Sequence, residues 1–296
     1  MQVLVTGGSG FVGQALCPAL MAAGMHVTVL TRNAERIAGT LAGVRLIERL
    51  DDMARADAVV NLAGASLAGQ RWTDRYKQTL RESRLRTTEA LLAWMQKMPL
   101  RPHVLVSGSA IGYYGPHGDE PLVEDSAPGN DFAAQLCRDW EAAALPAQEL
   151  GVRVCLLRTG VVLGADGGAL EQMLLPYRLG LGGPISGGAQ WMSWIHRQDL
   201  VRMIQWLLQD AATQGPCNAT APEPVRQRDF ATQLAQAVHR PAVLPTPALA
   251  LKLAVGEMAD MLVQGQKVLP AYAQQRGFQF LYPRLEDALR QILPQA

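Results

Sequence analysis

Short apolar runs, glycine turns and amphipathic stretches alternate through the first half of the chain. Val3, Leu4 and Val5 form a run too brief for a helix, the pattern of a strand covered on both faces. Phe11, Val12, Ala15, Leu16, Ala19 and Leu20 then recur at helical spacing, with Gly24 as a stop and Pro18 inside, where it kinks the helix or removes one hydrogen bond. Apolar runs at 26–30, 44–47, 58–61, 103–106 and 152–157 predict further strands. A long helix is predicted at 73–98, capped by Thr73, with Tyr76, Leu80, Arg84, Thr87, Leu91 and Trp94 on one face. Another is predicted at 131–150, with Phe132, Leu136, Trp140 and Ala143 or Ala144 inward, Gly151 as its stop and Pro146 distorting its last turn. Strand and helix alternating from the start predict an α/β fold on a Rossmann-type, doubly wound parallel sheet.

Past Gly164 the alternation weakens. Glycines and a proline crowd residues 180–188, and Trp191, Met192, Trp194, Ile195 and His196 follow closely. Residues 1–164 are therefore expected to form mainly the nucleotide-binding domain, with some later segments returning to it, and 165–296 mainly a smaller C-terminal substrate lobe. Asp199 is the expected cap of a helix carrying Leu200, Val201, Ile204, Trp206, Leu207 and Leu208. Further amphipathic helices are predicted at 226–239, 247–256 and 285–293, with Met258, Met261 and Leu262 in the lobe core. His196 fits a pocket or a structural role equally.

The first turn carries the clearest chemistry. Gly7, Gly10 and Gly13 fall as G-x-x-G-x-x-G between a strand and a helix, the context of a dinucleotide-binding turn. Gly7 permits the bend, Gly10 lets backbone approach a pyrophosphate, and Gly13 lets helix and strand pack closely, while the helix start offers unpaired N–H groups. Arg32 stands at the end of the second strand, where an acid would bind a free ribose 2′-OH, so NADP(H) is favoured over NAD(H). Asn61, Leu62, Ala63 and Gly64 leave the carboxyl end of the fourth strand, where ligands lie in such sheets. Ser107, Ser109, Tyr113 and Tyr114 crowd the end of the fifth, the expected place for chemistry on a nicotinamide-bound substrate. Arg84, on the face turned to the sheet, needs a carboxylate, a carbonyl or a bound phosphate beside it.

Composition narrows the partners. The chain has 27 basic and 26 acidic residues, so no general attraction to nucleic acid or anionic membrane is expected. No apolar run is long enough to span a bilayer, and no secretory signal is read at the start. Cys17, Cys137, Cys155 and Cys217 are far apart, as are the histidines; reduced thiols in a cytoplasmic protein are expected, and no metal site.

The run Thr6-Gly7-Gly8-Ser9-Gly10-Phe11-Val12-Gly13 resembles the fingerprint of extended short-chain dehydrogenases/reductases, the NAD-dependent epimerase/dehydratase superfamily. The resemblance sharpens to an atypical branch, the YfcH-like epimerase family proteins. It is carried in order by Asn61-Leu62-Ala63-Gly64, Arg71-Trp72, Ser83-Arg84, the stretch 157–164 (LRTGVVLG), Gly180-Leu181-Gly182-Gly183-Pro184, Trp194-Ile195-His196, Asn218-Ala219-Thr220-Ala221-Pro222 and Gly265-Gln266-Lys267-Val268-Leu269-Pro270. It implies a seven-stranded Rossmann domain with a small C-terminal substrate lobe and a bound NADP(H). With the turn residues, the candidate cofactor set is Gly7, Gly10, Phe11, Val12, Gly13, Arg32 at the 2′-phosphate, Leu62, Ala63, Gly64 and Arg84. Extended relatives often dimerise through helices like those at 73–98 and 131–150, so a homodimer is a candidate assembly.

One departure matters. The wider superfamily pairs a Ser after the fifth strand with Tyr-x-x-x-Lys on the next helix, the Tyr exchanging the proton and the Lys lowering its pKa. Ser109 fits the Ser, but the helix reads Phe132, Ala133, Ala134, Gln135, Leu136, Cys137, with no tyrosine or lysine between 131 and 150. The candidate catalytic residues are therefore Ser109, Tyr113 and Tyr114, the nearest phenols. Two readings stay open: an NADP(H)-dependent oxidoreductase or epimerase acting on an unidentified small carbonyl or hydroxyl compound, and a non-catalytic NADP(H)-binding sensor or partner-binding protein.

Overall fold

The computed structural model describes residues 1–242 and 244–293. The chain opens with β1 (Gln2–Thr6), α1 (Phe11–Ala22), β2 (His26–Leu30), a short α2 (Ala34–Ile37), β3 (Arg45–Ile47), β4 (Ala58–Asn61), α3 (Asp74–Lys97) and β5 (Val104–Ala110). It continues through β6 (Pro121–Leu122), α4 (Phe132–Ala144), β7 (Arg153–Thr159), β8 (Val161–Leu163), α5 (Gly168–Arg178), β9 (Trp191–Met192), β10 (Trp194–His196), α6 (Arg197–Gln209) and β11 (Gly215–Ala219). The last stretch holds β12 (Val225–Arg226), α7 (Gln227–Ala237), α8 (Ala248–Val255), α9 (Met258–Gln264), β13 (Lys267–Val268), α10 (Ala271–Gln275) and α11 (Leu285–Ile292).

Seven strands in the order β11-β7-β5-β4-β1-β2-β3 make one parallel sheet. Successive side chains of a strand face opposite ways, and both faces are covered. Val3 and Val5 pack with Leu16 and Leu20 of α1 and Ile204 and Leu207 of α6. Leu4, between them, packs on the other face with Leu91, Trp94 and Met95 of α3. The chain steps outward from β1 to β2 and β3, then returns to β4 on the other side, so a crevice opens between the carboxyl ends of β1 and β4. The later elements α6 and β11 return to this sheet.

A second core gathers Leu163, Leu170, Leu174, Trp194, Phe230, Leu234 and Leu289 from β8, α5, β10, α7 and α11. Met258 and Met261 lie elsewhere, partly buried against Trp72, Tyr76 and Leu80 of the α3 region, because the α8–α9 pair folds back onto that end of the sheet. Three other local expectations change. β5 runs to Ala110 and so contains Ser109. α4 ends at Ala144, where a 3-10 stretch with Pro146 near its start (Leu145–Leu150) takes over. α6 begins at Arg197 and is capped by His196, whose Nδ1 accepts from the Gln198 N–H, while Asp199 is buried inside the first turn. There Asp199 accepts from the N–H groups of Leu281 and Tyr282 at 2.8 and 2.9 Å, tying down a loop far along the chain. Among the described residues, no helix is long and apolar enough to cross a membrane.

Candidate active site

The crevice is built by the first glycine turn. Gly7 has φ +72°, and a Cβ there would lie 2.7 Å from the Leu62 carbonyl group. A Cβ on Gly13 would collide with the Gly7 carbonyl oxygen and Gly8 Cα, so the turn closes only on glycine. Thr6 Oγ1 donates to Asn61 Oδ1 at 2.6 Å and accepts from the Ala63 N–H, which locks the exits of β1 and β4 together. Gly10 precedes α1 without a side-chain cap, and no carbonyl among the described residues accepts from the N–H groups of Phe11, Val12 or Gly13. These donors and the positive end of a 12-residue helix suit a pyrophosphate. The Phe11 ring is cradled by Gly164, Gly167 and Gly168, with the Arg197 guanidinium 4.6 Å from its centroid.

Arg32 projects, exposed, just past the end of β2, and no carboxylate among the described residues pairs with it. Arg84 is buried under Gly64 and donates to the carbonyls of Leu80 at 2.9 Å and Ala65 at 3.2 Å. Carbonyls are thus its protein partners, and burial pulls its pKa down. Gly64 and Ala65 form the backbone over it. Nearby, Ser107 Oγ and Trp140 Nε1 are buried polar atoms without a partner among the described residues.

On the other side of β4, Ser109 Oγ donates to Glu141 Oε1 at 2.6 Å. Arg158, from β7, grips the same carboxylate with Nε on Oε1 at 2.8 Å and Nη2 on Oε2 at 2.9 Å. Burial works against the Arg158 charge, but the hydrogen bonds and charge of Glu141 outweigh it and hold the guanidinium pKa above its usual value. Arg158 Nη1 also donates to the Tyr114 hydroxyl and the Glu124 carbonyl. Glu124 itself accepts from the N–H groups of Asn218 and Tyr272, while burial pushes its carboxyl pKa up.

Tyr114 is removed from the substrate-facing candidates. It is fully buried, its hydroxyl donates to Asn218 Oδ1 at 2.7 Å, and burial pushes its phenol up to about 12. Its neighbour Tyr113 is half-buried, with its ring on the Arg158 guanidinium, 3.4 Å from Cζ to centroid, and no protein partner for its hydroxyl among the described residues. The helix positions of the missing Tyr and Lys are apolar in fact as well as in sequence. Phe132 packs edge-on against Trp72 and Leu136 is buried, while Cys137 lies buried beside Ser109 with its thiol pushed up to about 11. His196 fills both roles: it caps α6 and meets Gln291 Oε1 through Nε2 at 2.9 Å, and it lines a cavity with Ala15, Ala19, Gly164 and Arg197.

Glu141 and Arg158 were the site residues that residue patterns alone did not single out. The available signal was an acid next to the inward stripe of one helix and a base at the end of a buried strand, two charges that burial forces to pair.

The family model "NAD dependent epimerase/dehydratase family" matches residues 3–219, and that of the "Domain of unknown function (DUF1731)" matches residues 246–292. The chain is 42% identical over 303 residues to the epimerase family protein SDR39U1 homolog, chloroplastic, of Arabidopsis thaliana, covering 99% of this chain and 87% of that one. It is 38% identical over 299 residues to the epimerase family protein YfhF of Bacillus subtilis, covering 99% and 98%. Among solved structures, human epimerase family protein SDR39U1 (isoform 2) with NADPH superposes with a TM-score of 0.91 at 37% identity over all of both chains. With its seven-stranded parallel sheet and glycine turn, the chain belongs to the NAD dependent epimerase/dehydratase family.

Proposed function

We propose that this protein binds NADP(H) across the carboxyl ends of β1, β2 and β4 and acts as an oxidoreductase or epimerase on a small carbonyl or hydroxyl compound. The observation that carries the reading is the open start of α1, with three N–H groups unpartnered among the described residues, on the same edge of the sheet as Arg32, which no described carboxylate pairs, and the hydroxyls of Ser109 and Tyr113. The NADPH held by the human relative supports it. When bound, NADP(H) supplies hydride exchange at its nicotinamide. Phe11, Val12 and Gly13 hold the pyrophosphate through their N–H groups, Gly10 gives it room, and Arg32 pairs with the 2′-phosphate. Leu62, Ala63 and Gly64 wall the crevice, and Arg84 fixes that wall by gripping the Ala65 carbonyl. Ser109 and Tyr113 meet the substrate oxygen. The four buried free cysteines support a reducing, cytoplasmic setting.

The second reading, a non-catalytic NADP(H) sensor, draws on Phe132 and Leu136, which exchange no protons. The two separate on one experiment: NADPH oxidation followed with a panel of small aldehydes and ketones. Turnover that falls by roughly 100-fold in Tyr113→Phe supports the enzyme and the role of Tyr113. Saturable NADPH binding without turnover of any panel member would leave the sensor.

A further inference from the structure

We propose that the face formed by the end of α5, the segment 179–185, Leu244 and α8 is the contact surface between two copies of this chain, related by a two-fold axis. Large apolar side chains left in water are concentrated there. Leu175, Leu179, Leu181, Leu244, Leu249 and Leu253 are 47–71% exposed, whereas the other exposed large apolar residues among those described, Met1, Leu100, Leu145 and Leu281, are scattered along the chain. The sequence separates the six leucines and the fold joins them. The Leu181 N–H donates to the Pro176 carbonyl and the Thr246 N–H to the Pro184 carbonyl, each at 2.9 Å, and Ile185 pairs with Thr246 in a parallel bridge that leads into α8. A Cβ on Gly183 would run into the Leu244 carbonyl, so this seam closes backbone against backbone. Leu175 and Leu179 stand four apart at the end of α5, and Leu249 and Leu253 four apart on α8, so each helix turns a pair of leucines the same way.

Area and charge select the occupant. At these exposures the six leucines leave on the order of 600 Å² in water, at the top of the range for patches on monomers and, with a polar rim added, close to the roughly 800 Å² that each partner gives to a stable interface. The rim favours a second copy over a lipid surface. Arg178, Arg240 and Lys252 are exposed there together with Glu171, Glu257 and Asp260, and Lys252 lies 3.7 Å from Asp260. An anionic membrane calls for an excess of basic residues, whereas charges of both signs can pair across a two-fold axis. By contrast α3 and α4, the helices through which extended relatives often dimerise, turn Arg75, Gln78, Arg86, Glu89 and Gln135 outward and carry none of the exposed large apolar side chains found among the described residues.

Sedimentation equilibrium of the full chain should show twice the chain mass at about 50 µM, well above the micromolar upper end of dissociation constants for interfaces of this size. Leu249→Lys/Leu253→Lys and Leu175→Lys/Leu179→Lys should each weaken self-association by about 100-fold or more and sediment as single chains, with unchanged far-UV circular dichroism because the replaced side chains stand in water. Glu89→Arg on α3 should leave the dimer whole. Cross-linking needs no disruptive variant. In an isologous contact the centre of the patch meets itself, and the four native cysteines are buried, so a bismaleimide should join Leu181→Cys to its copy and leave Glu89→Cys unjoined. A wild type that stays a single chain at that concentration, a dimer that survives both leucine variants, or one joined through Glu89→Cys in place of Leu181→Cys would overturn the proposal. A single chain that floats with phosphatidylglycerol vesicles would overturn it too, and would assign the face to lipid.

Discussion

Replacing Arg158 with methionine removes the centre of the buried network at the end of β5. The guanidinium makes two charge-assisted bonds to Glu141 and one each to Tyr114 and Glu124, with the side chains of the ion pair only 4% and 7% exposed. Arg158→Met strands the Glu141 carboxylate in a site where Ser109 is its remaining donor. Breaking a buried pair from one side costs about 3–5 kcal/mol, because the orphaned charge keeps its desolvation penalty and loses its partner. For a chain of 296 residues roughly 2 °C of Tm is lost per kcal/mol, so the variant should melt about 6–10 °C lower. Glu141→Met alone should cost a similar amount. The double variant Glu141→Met/Arg158→Met should be more stable than either single one, since two apolar side chains carry no stranded charge. Differential scanning calorimetry on the four proteins closes this cycle. Single variants losing under about 1 kcal/mol, or losses that simply add, would refute the reasoning.

Other expectations follow from single residues. Arg32→Glu should reverse a preference for NADPH over NADH in nicotinamide-fluorescence titrations, by repelling the 2′-phosphate and accepting from the 2′-OH; equal affinities in the wild type would remove Arg32 from the site. Asp199→Ala should cost about 2–3 kcal/mol and speed amide exchange at Leu281 and Tyr282, whose N–H groups it leaves unpaired, with exchange elsewhere in the loop as the control. Burial pulls the His196 pKa below 6.5, against the pull of Gln291 and Asp199, so the unfolded chain binds the extra proton. Its contribution is therefore whole above the unfolded value and is lost as pH falls through the lower folded value, an acid limb that His196→Asn should shrink in urea-denaturation curves.

What could be read from the residues depended on how local the cause was. The β1–turn–α1 unit was legible because its glycine spacing, strand and helix lie within one stretch of chain, and the same holds for the Asn61 to Gly64 exit. The apolar run that predicts the fifth strand ends at Val106, which leaves Ser109 beyond it. In the sheet it is strand, since Gly108 and Ser109 find hydrogen-bonding partners at Leu157 and Arg158 on β7. That same register sets Ser109 beside Arg158, and with Glu141 above them the ion pair forms, a juxtaposition invisible until strand order is known. Asp199 matched a cap by type and position, but besides Arg202 on its own helix it accepts from backbone N–H groups 82 and 83 places later. Tyr113 and Tyr114 are equivalent in sequence, and a short 3-10 turn sends one to the rim and the other into the core.

A crystal structure of the NADPH complex tests the central claim most directly. The pyrophosphate should sit on the N–H groups of Phe11, Val12 and Gly13, with the 2′-phosphate on Arg32 and the nicotinamide C4 facing a space within hydrogen-bond reach of Ser109 Oγ and the Tyr113 hydroxyl. A nicotinamide turned away from both hydroxyls, or walled off from them by the Phe132 side of α4, would contradict it.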